Sequence, residues 1–331
     1  MNPSSRPLTR RAMALGLAAL GCALSAPAAL AQGGFPSKPI TFVVPYPAGG
    51  ANDMLGRLIG QKMGEALGAT VIIDNKPGAG AMLGANAVAK AAPDGHTVLV
   101  GGLATHAASP HLMKADYDPL KDFEAVGLLG QAPIVVITSN ESPLRSLKDI
   151  AEIAKKKPGE MMYGSSGNGS PLHLAGGLFD AINGSQMTHV PYKGGNTAYT
   201  GMLGGEIDAM FDSMPAPAPH LQSGKIRAIG VTGGKRLPAL PDVATLAEQG
   251  IAGVDVHFWW GFVGPAGLPK DVVAKLNAEI SRALADPDLR ATLAKWNIEP
   301  ATGTPEAFGA YIAQESRRWR EAVAAAGLAL E

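Results

Sequence analysis

The stretch that decides the fold reads ITFVVPYPAGGANDMLGRLIGQKMGEAL and covers residues 40–67. It begins with an apolar run, Ile40 to Val44, whose β-branched residues are typical of a buried strand. A loop rich in Gly and Pro follows, and from Met54 to Leu67 the apolar residues recur at helical spacing on one face. This stretch is therefore predicted to form a strand, a turn and an amphipathic helix, which is the repeating unit of an α/β sheet.

The same alternation continues along the chain. Amphipathic helices are predicted for Leu172 to Ile182, for Asp271 to Leu284 and for Pro305 to Ala325. Further strands are predicted for Val71 to Ile73, Thr97 to Val100, Ile134 to Thr138, Met161 to Tyr163, Thr188 to Val190 and Ala228 to Thr232. Strands that alternate with helices indicate an α/β fold of mostly parallel sheets flanked by helices.

Two extended segments, near Gln131 and His257, are the places where the chain is expected to pass between two lobes. The first lobe is predicted to comprise residues 32–130 and 258–331, so that the C-terminal helices complete it. The second lobe is predicted to comprise residues 131–257. Two strand-like crossings of this kind form a hinge.

The first 31 residues have the features of a cleavable signal peptide: a basic head, a short apolar run from Ala12 to Leu20, and small residues before a cleavage point after Ala31. Arg10 and Arg11 leave both the general secretory and the twin-arginine route open. A soluble periplasmic product is favoured over a lipoprotein attached at Cys22. The remaining chain carries 25 basic against 28 acidic residues, which argues against nucleic-acid binding.

Two Gly-rich loops, Pro45 to Asp53 and Tyr163 to Pro171, each follow a predicted strand and precede a predicted helix. The first amides of a helix lack intrahelical partners and carry the positive end of its dipole, so an anion is stabilised there. Neither loop contains Lys or Arg. Backbone and hydroxyl donors are therefore expected to bind a carboxylate or a phosphate, although such glycines also occur in turns that bind nothing.

An ordered set of motifs along nearly the whole exported chain resembles the Bug-type substrate-binding proteins of tripartite tricarboxylate transporters. The motifs are Lys38 to Ile40, Pro45 to Asp53, Asn75 to Gly80, Pro93 to Thr97, Tyr117 to Phe123, Ser165 to Gly169, His189 to Gly194 and Leu240 to Val243. Family members usually have Phe or another bulky aromatic residue at the position of Tyr46 and often a single Trp where this chain has Trp259 and Trp260.

The resemblance implies a type II-like Venus-flytrap fold in which the two loops grip a carboxylate of the ligand. It implies a monomeric, non-catalytic receptor without cofactor or metal, which delivers its ligand to integral-membrane transporter subunits. The ligand-binding residues that it implies are Tyr46, Ala48, Gly49, Gly50 and Asp53 on one side, and Ser165, Ser166, Gly167, Asn168, Gly169 and His173 on the other. Thr105, His106 and Asp212 follow or end predicted strands and are added for that reason.

Several of these residues also suit purely structural roles. Asp53 suits a helix N-cap, and His173 suits a side chain satisfied by the loop backbone. Lys193 precedes a third loop-to-helix junction, where it is either solvated or the one cation near the cleft. Trp259 and Trp260 are expected to pack at the lobe junction, although an aromatic wall for a ligand ring is an alternative.

Other functional classes fit less well. A serine hydrolase is disfavoured because Gly164 to Asn168 departs from the G-x-S-x-G elbow and because His173 is too close in sequence to the loop serines. A metal site is disfavoured because His106 and His111 are five residues apart. Gly78 to Gly84 and Gly234 to Arg236 miss the nucleotide-binding fingerprints. A ligand sensor for a membrane receptor kinase stays open as an alternative, because sensing and transport use the same closed form.

Overall fold

The computed structural model describes residues 34–214, 216–251, 254 and 256–326. The predicted signal peptide and Cys22 lie outside these ranges. The chain divides into one unit up to Ser37 and a compact unit from Lys38 onward. Of the first unit only residues 34–37 are described, and they contain no helix or strand.

The strands of the described residues follow the predicted order. They are β1 (Ile40–Val44), β2 (Val71–Asn75), β3 (Thr97–Gly102), β4 (Phe123–Ser139), β5 (Met162–Ser165), β6 (Thr188–Pro191), β7 (Ala209–Ser213), β8 (Ile226–Val231), β9 (His257–Pro265) and β10 (Glu299–Pro300). The predicted strands are thus confirmed, while the length of β4 and the existence of β10 were not foreseen.

The helices occupy most of the intervening segments. They are α1 (Ala51–Leu67), α2 (Met82–Ala89), α3 (Ser109–Leu112), α4 (Leu147–Lys156), α5 (Pro171–Asn183), α6 (Gly195–Leu203), α7 (Ala218–Gln222), α8 (Lys270–Ala285), α9 (Pro287–Lys295) and α10 (Pro305–Ala326). A 3-10 turn at Ala79–Ala81 precedes α2, and a π-helical turn at Ala104–Ala108 precedes α3. No helix in the described part of the chain is both long and apolar enough to cross a bilayer.

Two groups of strands meet at β4. The first half of β4 closes a sheet in the order β2–β1–β3–β9–β4, with β10 also beside β4. Its second half pairs with β7 and β8, and β7 continues to β5 and β6. Each sheet with its covering helices forms one lobe of the α/β fold, which confirms the predicted fold class.

The sheets are mixed rather than mostly parallel. β1 runs parallel to β2 and β3, and β5 runs parallel to β6 and β7, because helical crossovers connect such strands. Every pair that includes β4 or β9 is antiparallel. These two strands also pair with each other where the sequence predicted the crossings, with Gln131 opposite Trp259 and Pro133 opposite His257. The lobe boundaries and the hinge motion remain predictions.

Helix α1 lies close against the first sheet. It buries Leu55, Ile59 and Met63, each of which stabilises the fold by about 1.5–3 kcal/mol relative to an exposed side chain. A methyl group on Gly60 would lie 2.9 Å from the side chain of Val71, so glycine is what permits this close approach. Because the helix is fixed in this way, its first turn has a defined position relative to the end of β1.

Candidate ligand-binding site

A cavity of about 200 Å³ lies where β1, β5, β6 and β7 end. Ligand sites in α/β folds gather at the carboxyl ends of strands, where the loops lead into helix N-termini. The volume suits a molecule smaller than a typical drug, since drug pockets measure roughly 300–1,000 Å³. The lining residues are Tyr46, Pro47, Ala48, Gly50, Ala51, Asn52, Ser166, Leu172, Lys193, Gly194, Gly195, Asn196, Thr197, Asp212, Ser213, Ala216 and Phe258.

The loop between β1 and α1 supplies the wall from the first lobe. Gly50 is the N-cap of α1 and provides no side-chain cap. The amide of Met54 donates to the carbonyl of Gly50 at 3.0 Å, so the amides of Ala51 and Asn52 have no intrahelical acceptor. Both residues line the cavity, which places an uncapped helix tip at its edge.

Asp53 has a structural role in this loop. Its carboxylate accepts hydrogen bonds from the amide of Gly49 at 2.9 Å, from Arg57 Nε at 2.9 Å and from Asn75 Nδ2 at 3.0 Å. Burial opposes ionisation, but these donors outweigh it and hold the pKa of Asp53 below its usual value. The N-cap interpretation of Asp53 is wrong, because the N-cap is Gly50 and Asp53 lies in the first turn. Neither Asp53 nor Gly49 lines the cavity.

The loop between β5 and α5 is packed more tightly than its sequence indicates. Ser170 caps α5, because its Oγ accepts from the amide of His173 at 3.2 Å, and Pro171 follows at the first helical position. This confirms the predicted N-cap and leaves one fewer free amide at the helix tip. Within the loop itself, only Ser166 lines the cavity.

Ser165 and His173 point into the protein. Ser165 is fully buried, and its Oγ lies 2.7 Å from His189 Nε2 and 3.1 Å from the carbonyl of Gly167. His173 accepts from the amide of Gly169 at 3.3 Å, which is the loop-backbone role, and stacks on His189 with ring centroids 3.9 Å apart. Burial and the neighbouring imidazole lower the pKa of His189 to about 3.

The serine and histidine pairing differs from the one considered in the sequence. His189 comes from β6, a separate element, so a close Ser–His contact does exist. It does not form a hydrolytic site, because Ser165 has no accessible surface from which to attack a substrate.

The junction between β6 and α6 supplies more of the wall than the sequence suggested. Gly194 is the N-cap of α6 with φ of +110°, and it provides no side-chain cap. Lys193, Asn196 and Thr197 also line the cavity. Among the described lining residues Lys193 is the one cation, and it is exposed. In the sequence, the pattern that indicated this part of the wall is the Gly194–Gly195 pair shortly after a predicted strand.

Asp212 lies at the end of β7 and lines the cavity with only 5 % of its surface exposed. Its Oδ2 accepts from Tyr199 Oη at 2.7 Å, and its Oδ1 accepts from the amide of Ser213 at 2.7 Å. Burial raises the pKa of Asp212 to about 6, although the hydrogen bond from Tyr199 opposes this shift. Asp212, which was chosen because it ends a predicted strand, is therefore the acidic residue of the cavity lining.

Tyr46 brings a hydroxyl group to the same region. Its Oη is buried and has no hydrogen-bond partner among the described residues. Burial and, second, the nearby carboxylate of Asp212 raise the pKa of Tyr46 well above its usual value. The hydroxyl therefore keeps its proton, and it has no partner within the described part of the chain.

Thr105 and His106 lie away from the cavity. Both are buried in the π-helical turn, where Thr105 Oγ1 and His106 Nδ1 are 2.7 Å apart. His106 packs edge-on against Phe123. The added residues Thr105 and His106 thus have core positions, because the turn after β3 directs them inward instead of along the strand axis.

Loops from the two lobes face each other across the cavity. A methyl group on Gly49 would lie 3.3 Å from Asn196 Nδ2, and one on Gly194 would lie 3.2 Å from Pro47 Cγ. Elsewhere along the cleft Ser109 Oγ donates to the carbonyl of Gly169 at 2.8 Å. The loops after β1 and β6 therefore lie close together in this structure, and Ser109 contacts the loop after β5.

A second cavity of about 560 Å³ adjoins the first and shares Tyr46, Pro47, Ser166, Lys193 and Gly194 with it. Of the predicted site residues, Tyr46, Ala48, Gly50, Ser166 and Asp212 line the first cavity. Gly167 and Asn168 line the second. Gly49, Asp53, Thr105, His106, Ser165, Gly169 and His173 line neither.

The two tryptophans pack as predicted. Trp259 and Trp260 are fully buried in β9, and Trp260 Nε1 donates to Asn52 Oδ1 at 3.1 Å. This contact ties the crossing strand to the first turn of α1. The aromatic residue that does line the cavity is their neighbour Phe258.

Comparison with known proteins agrees with this geometry. Residues 55–328 match the model of a family described as the tripartite tricarboxylate transporter family receptor. The solved periplasmic binding protein BugD is 34% identical, with a TM-score of 0.85, and the alignment covers 90% of this chain and 100% of BugD.

Two further solved structures hold ligands. MatC from Rhodopseudomonas palustris with bound malate is 35% identical, with a TM-score of 0.84, over 87% of this chain and 100% of MatC. The protein Rpa4515 from R. palustris with adipate is 33% identical, with a TM-score of 0.85, over 89% of this chain and 99% of that protein.

Proposed function

Because this chain belongs to the tripartite tricarboxylate transporter receptor family, whose solved relatives are periplasmic solute-binding proteins, we propose that it captures a small carboxylate-bearing molecule and delivers it to a membrane transporter of that class. Its family and its relatives are binding proteins and not enzymes. The observation that carries the proposal is a cavity between two lobes with two helix N-termini, those of α1 and α6, that lack side-chain caps.

Uncapped amides explain how a carboxylate binds here with little help from cations. Each charge-assisted hydrogen bond contributes about 1.5–3 kcal/mol, and a micromolar complex requires about 8 kcal/mol. About three to six donors therefore suffice. The cavity lining offers such donors: the amides of Ala51 and Asn52, the hydroxyl groups of Ser166 and Tyr46, and the exposed ammonium of Lys193.

The ligands of two relatives support the carboxylate assignment. MatC holds malate and Rpa4515 holds adipate, and both molecules are dicarboxylates. The relatives superpose on most of this chain at about a third identity, which supports a site in the same general position. We therefore propose a carboxylate as the ligand class here.

The proposed setting is the periplasm, with export by the N-terminal signal peptide and action as a monomer. The partner is the pair of integral-membrane subunits of a tripartite transporter. A direct test adds purified protein to vesicles that contain those subunits and measures uptake of a labelled acid. Uptake that is independent of the added protein would contradict the delivery role.

Closure is proposed to occur about the paired segments near Gln131 and His257. β4 and β9 run side by side through this region, with β10 next to β4 at Gln131, and small rotations there would move the two helix tips apart. Small-angle scattering of the ligand-free and the saturated protein tests this. We expect a smaller radius of gyration when ligand is bound, and an unchanged radius at saturation would contradict the hinge.

The ligand is best sought by thermal-shift screening with a panel of organic acids. A ligand at a hundred times its dissociation constant stabilises the folded state by about 2.7 kcal/mol, which is readily detected as a higher unfolding midpoint. We expect carboxylates to shift the midpoint and their methyl esters, which lack the negative charge, to leave it unchanged. Equal shifts by an acid and its ester would argue against anion capture at the helix tips.

A further inference from the structure

The cavity that is proposed to hold an anion also contains a buried acid. Asp212 lines the cavity directly beside Gly195, where an added methyl group would lie 3.1 Å from Asp212 Oδ2. A side chain at this position would crowd the carboxylate, which the glycine avoids. An acid in this position is not needed to bind a carboxylate, and for a second carboxylate it is unfavourable.

The hydrogen bonds of Asp212 leave part of its acceptor capacity unused. Tyr199 Oη donates to one carboxylate oxygen and the amide of Ser213 donates to the other. A carboxylate accepts about four hydrogen bonds, so each oxygen retains a free lone pair. Among the described residues no Lys, Arg or His forms an ion pair with it, although Lys193 lines the same cavity.

A second group beside Asp212 also lacks a partner. Tyr46 lines the same cavity, and its buried Oη has no hydrogen bond within the described ranges. The carboxylate of Asp212 lies near enough to raise the pKa of this hydroxyl. Buried polar groups are almost always hydrogen-bonded, and those left open in a cavity are commonly satisfied by what binds there. Two residues of the cavity lining thus carry an acceptor with unused capacity and a hydroxyl without a partner.

Resting on the function proposed above, we propose that the ligand carries an N–H donor, an ammonium or a carboxamide, which binds Asp212 while its carboxylate is held at the helix tips. A plain dicarboxylate would bring a second negative charge against Asp212 in a site shielded from water, and like charges there repel strongly. An N–H donor instead uses the free lone pairs. Asp212 is thus a specificity-determining residue that favours such a ligand over a plain dicarboxylate.

Matched pairs of ligands test this on the unmodified protein. Titration calorimetry at pH 7.5 compares succinate with succinamate, glutarate with glutaramate, and adipate with adipamate, which differ only in one carboxylate or carboxamide. We expect the half-amide of the best-fitting pair to bind at least about tenfold more tightly, since one buried charge-assisted hydrogen bond contributes that much. Asparagine and β-alanine extend the comparison to ammonium donors.

Asp212→Asn removes the charge with little change of shape. Tyr199 is able to accept as well as donate, so the amide retains its two internal partners. We expect this variant to bind the dicarboxylate of the same pair as tightly as the half-amide or more tightly. Asp208→Asn, an exposed acid on the preceding loop, should leave the ratio unchanged.

The outcomes separate the two proposals. If both members of every pair bind the unmodified protein with equal affinity, the role of Asp212 is overturned while carboxylate capture stands. If no acid of either kind binds, the proposed function is overturned and this inference with it. A failure of Asp212→Asn to fold leaves the ligand pairs on the unmodified protein to decide.

Discussion

The amide of Ala51 gives the sharpest test of anion capture by a helix tip. Ala51 is the first residue of α1, its N–H has no intrahelical acceptor, and it lines the cavity. Ala51→Pro deletes this N–H. Proline is well tolerated at the first helical position, and the N-cap Gly50 has φ −81° and ψ 171°, the extended conformation that a residue before proline requires.

The expected loss of affinity follows from that single donor. A hydrogen bond from an uncharged amide to a carboxylate contributes about 1.5–3 kcal/mol, so its removal should weaken binding roughly 10- to 150-fold. The ligand-free protein should unfold at nearly the same temperature as the parent, because no internal hydrogen bond is lost. The affinity and the stability therefore respond differently, which a general folding defect would not produce.

Isothermal titration with the best acid from the screen measures the affinity, and calorimetric scanning measures the unfolding midpoint. Two controls isolate the N–H. Ala51→Val keeps the amide and adds comparable bulk, while Lys270→Pro makes the same change at the first residue of α8, away from the cavity. Unchanged affinity in Ala51→Pro, or an equal loss in Ala51→Val, would refute the claim that this amide binds the anion.

Three further expectations concern the loops and the buried titratable groups. Gly194→Ala should weaken binding, since it adds a methyl group 3.2 Å from Pro47 at a φ of +110°. Gly205→Ala is the control, because Gly205 also has a positive φ but open space around it, and this variant should only lower stability. Equal losses of affinity in titrations of the two variants would contradict this expectation. Asp53→Ala should lower the unfolding free energy by about 2–4 kcal/mol, because the backbone amide of Gly49 and the side-chain amide of Asn75 lose their acceptor. A loss of binding at unchanged stability would instead indicate that Asp53 contacts the ligand. Acidification from pH 7 to pH 5.5 should lower the free energy of unfolding. Burial lowers the pKa of His106 and His189 to about 3 and also lowers the pKa of His173. Over this pH range the unfolded chain therefore binds protons that the folded chain does not. Each such histidine lowers the free energy of unfolding by about 1.4 kcal/mol per pH unit below its unfolded pKa of about 6.5. Asp212, whose pKa is raised, opposes this loss only below about pH 6. Denaturant titrations that show stability rising from pH 7 to pH 5.5 would contradict the assignment.

Much of the fold was predictable because its signals are local. The runs around β1, β5 and β6 contain β-branched or aromatic residues typical of strands, and the helix that follows each one has Gly or Ser as its N-cap. Tyr46, Gly50 and Ser166 are predicted ligand-binding residues that line the cavity, because the ends of β1 and β5 bring their loops there.

Other parts of the site were not predictable from local pattern. His106 and His173 are polar residues near predicted loops, yet burial against Phe123 and His189 directs them inward. Ser165 and Ser166 are neighbours at the end of β5, yet the side chain of Ser165 is buried while Ser166 lines the cavity. A sequence indicates that such residues are close to a turn but not toward which side they point.

The sequence by itself determined the order of strands and helices, the two-lobed α/β class and the Gly-rich turns, because hydrophobic periodicity and turn chemistry act over a few residues. Tertiary structure decided which turns share a cavity. Only the pairing of β4 with both sheets brings the ends of β1, β6 and β7 together, and only that meeting places Asp212 beside Tyr46. Tyr46 and Asp212 are more than 150 positions apart in the chain, and long-range packing fixes their relative position.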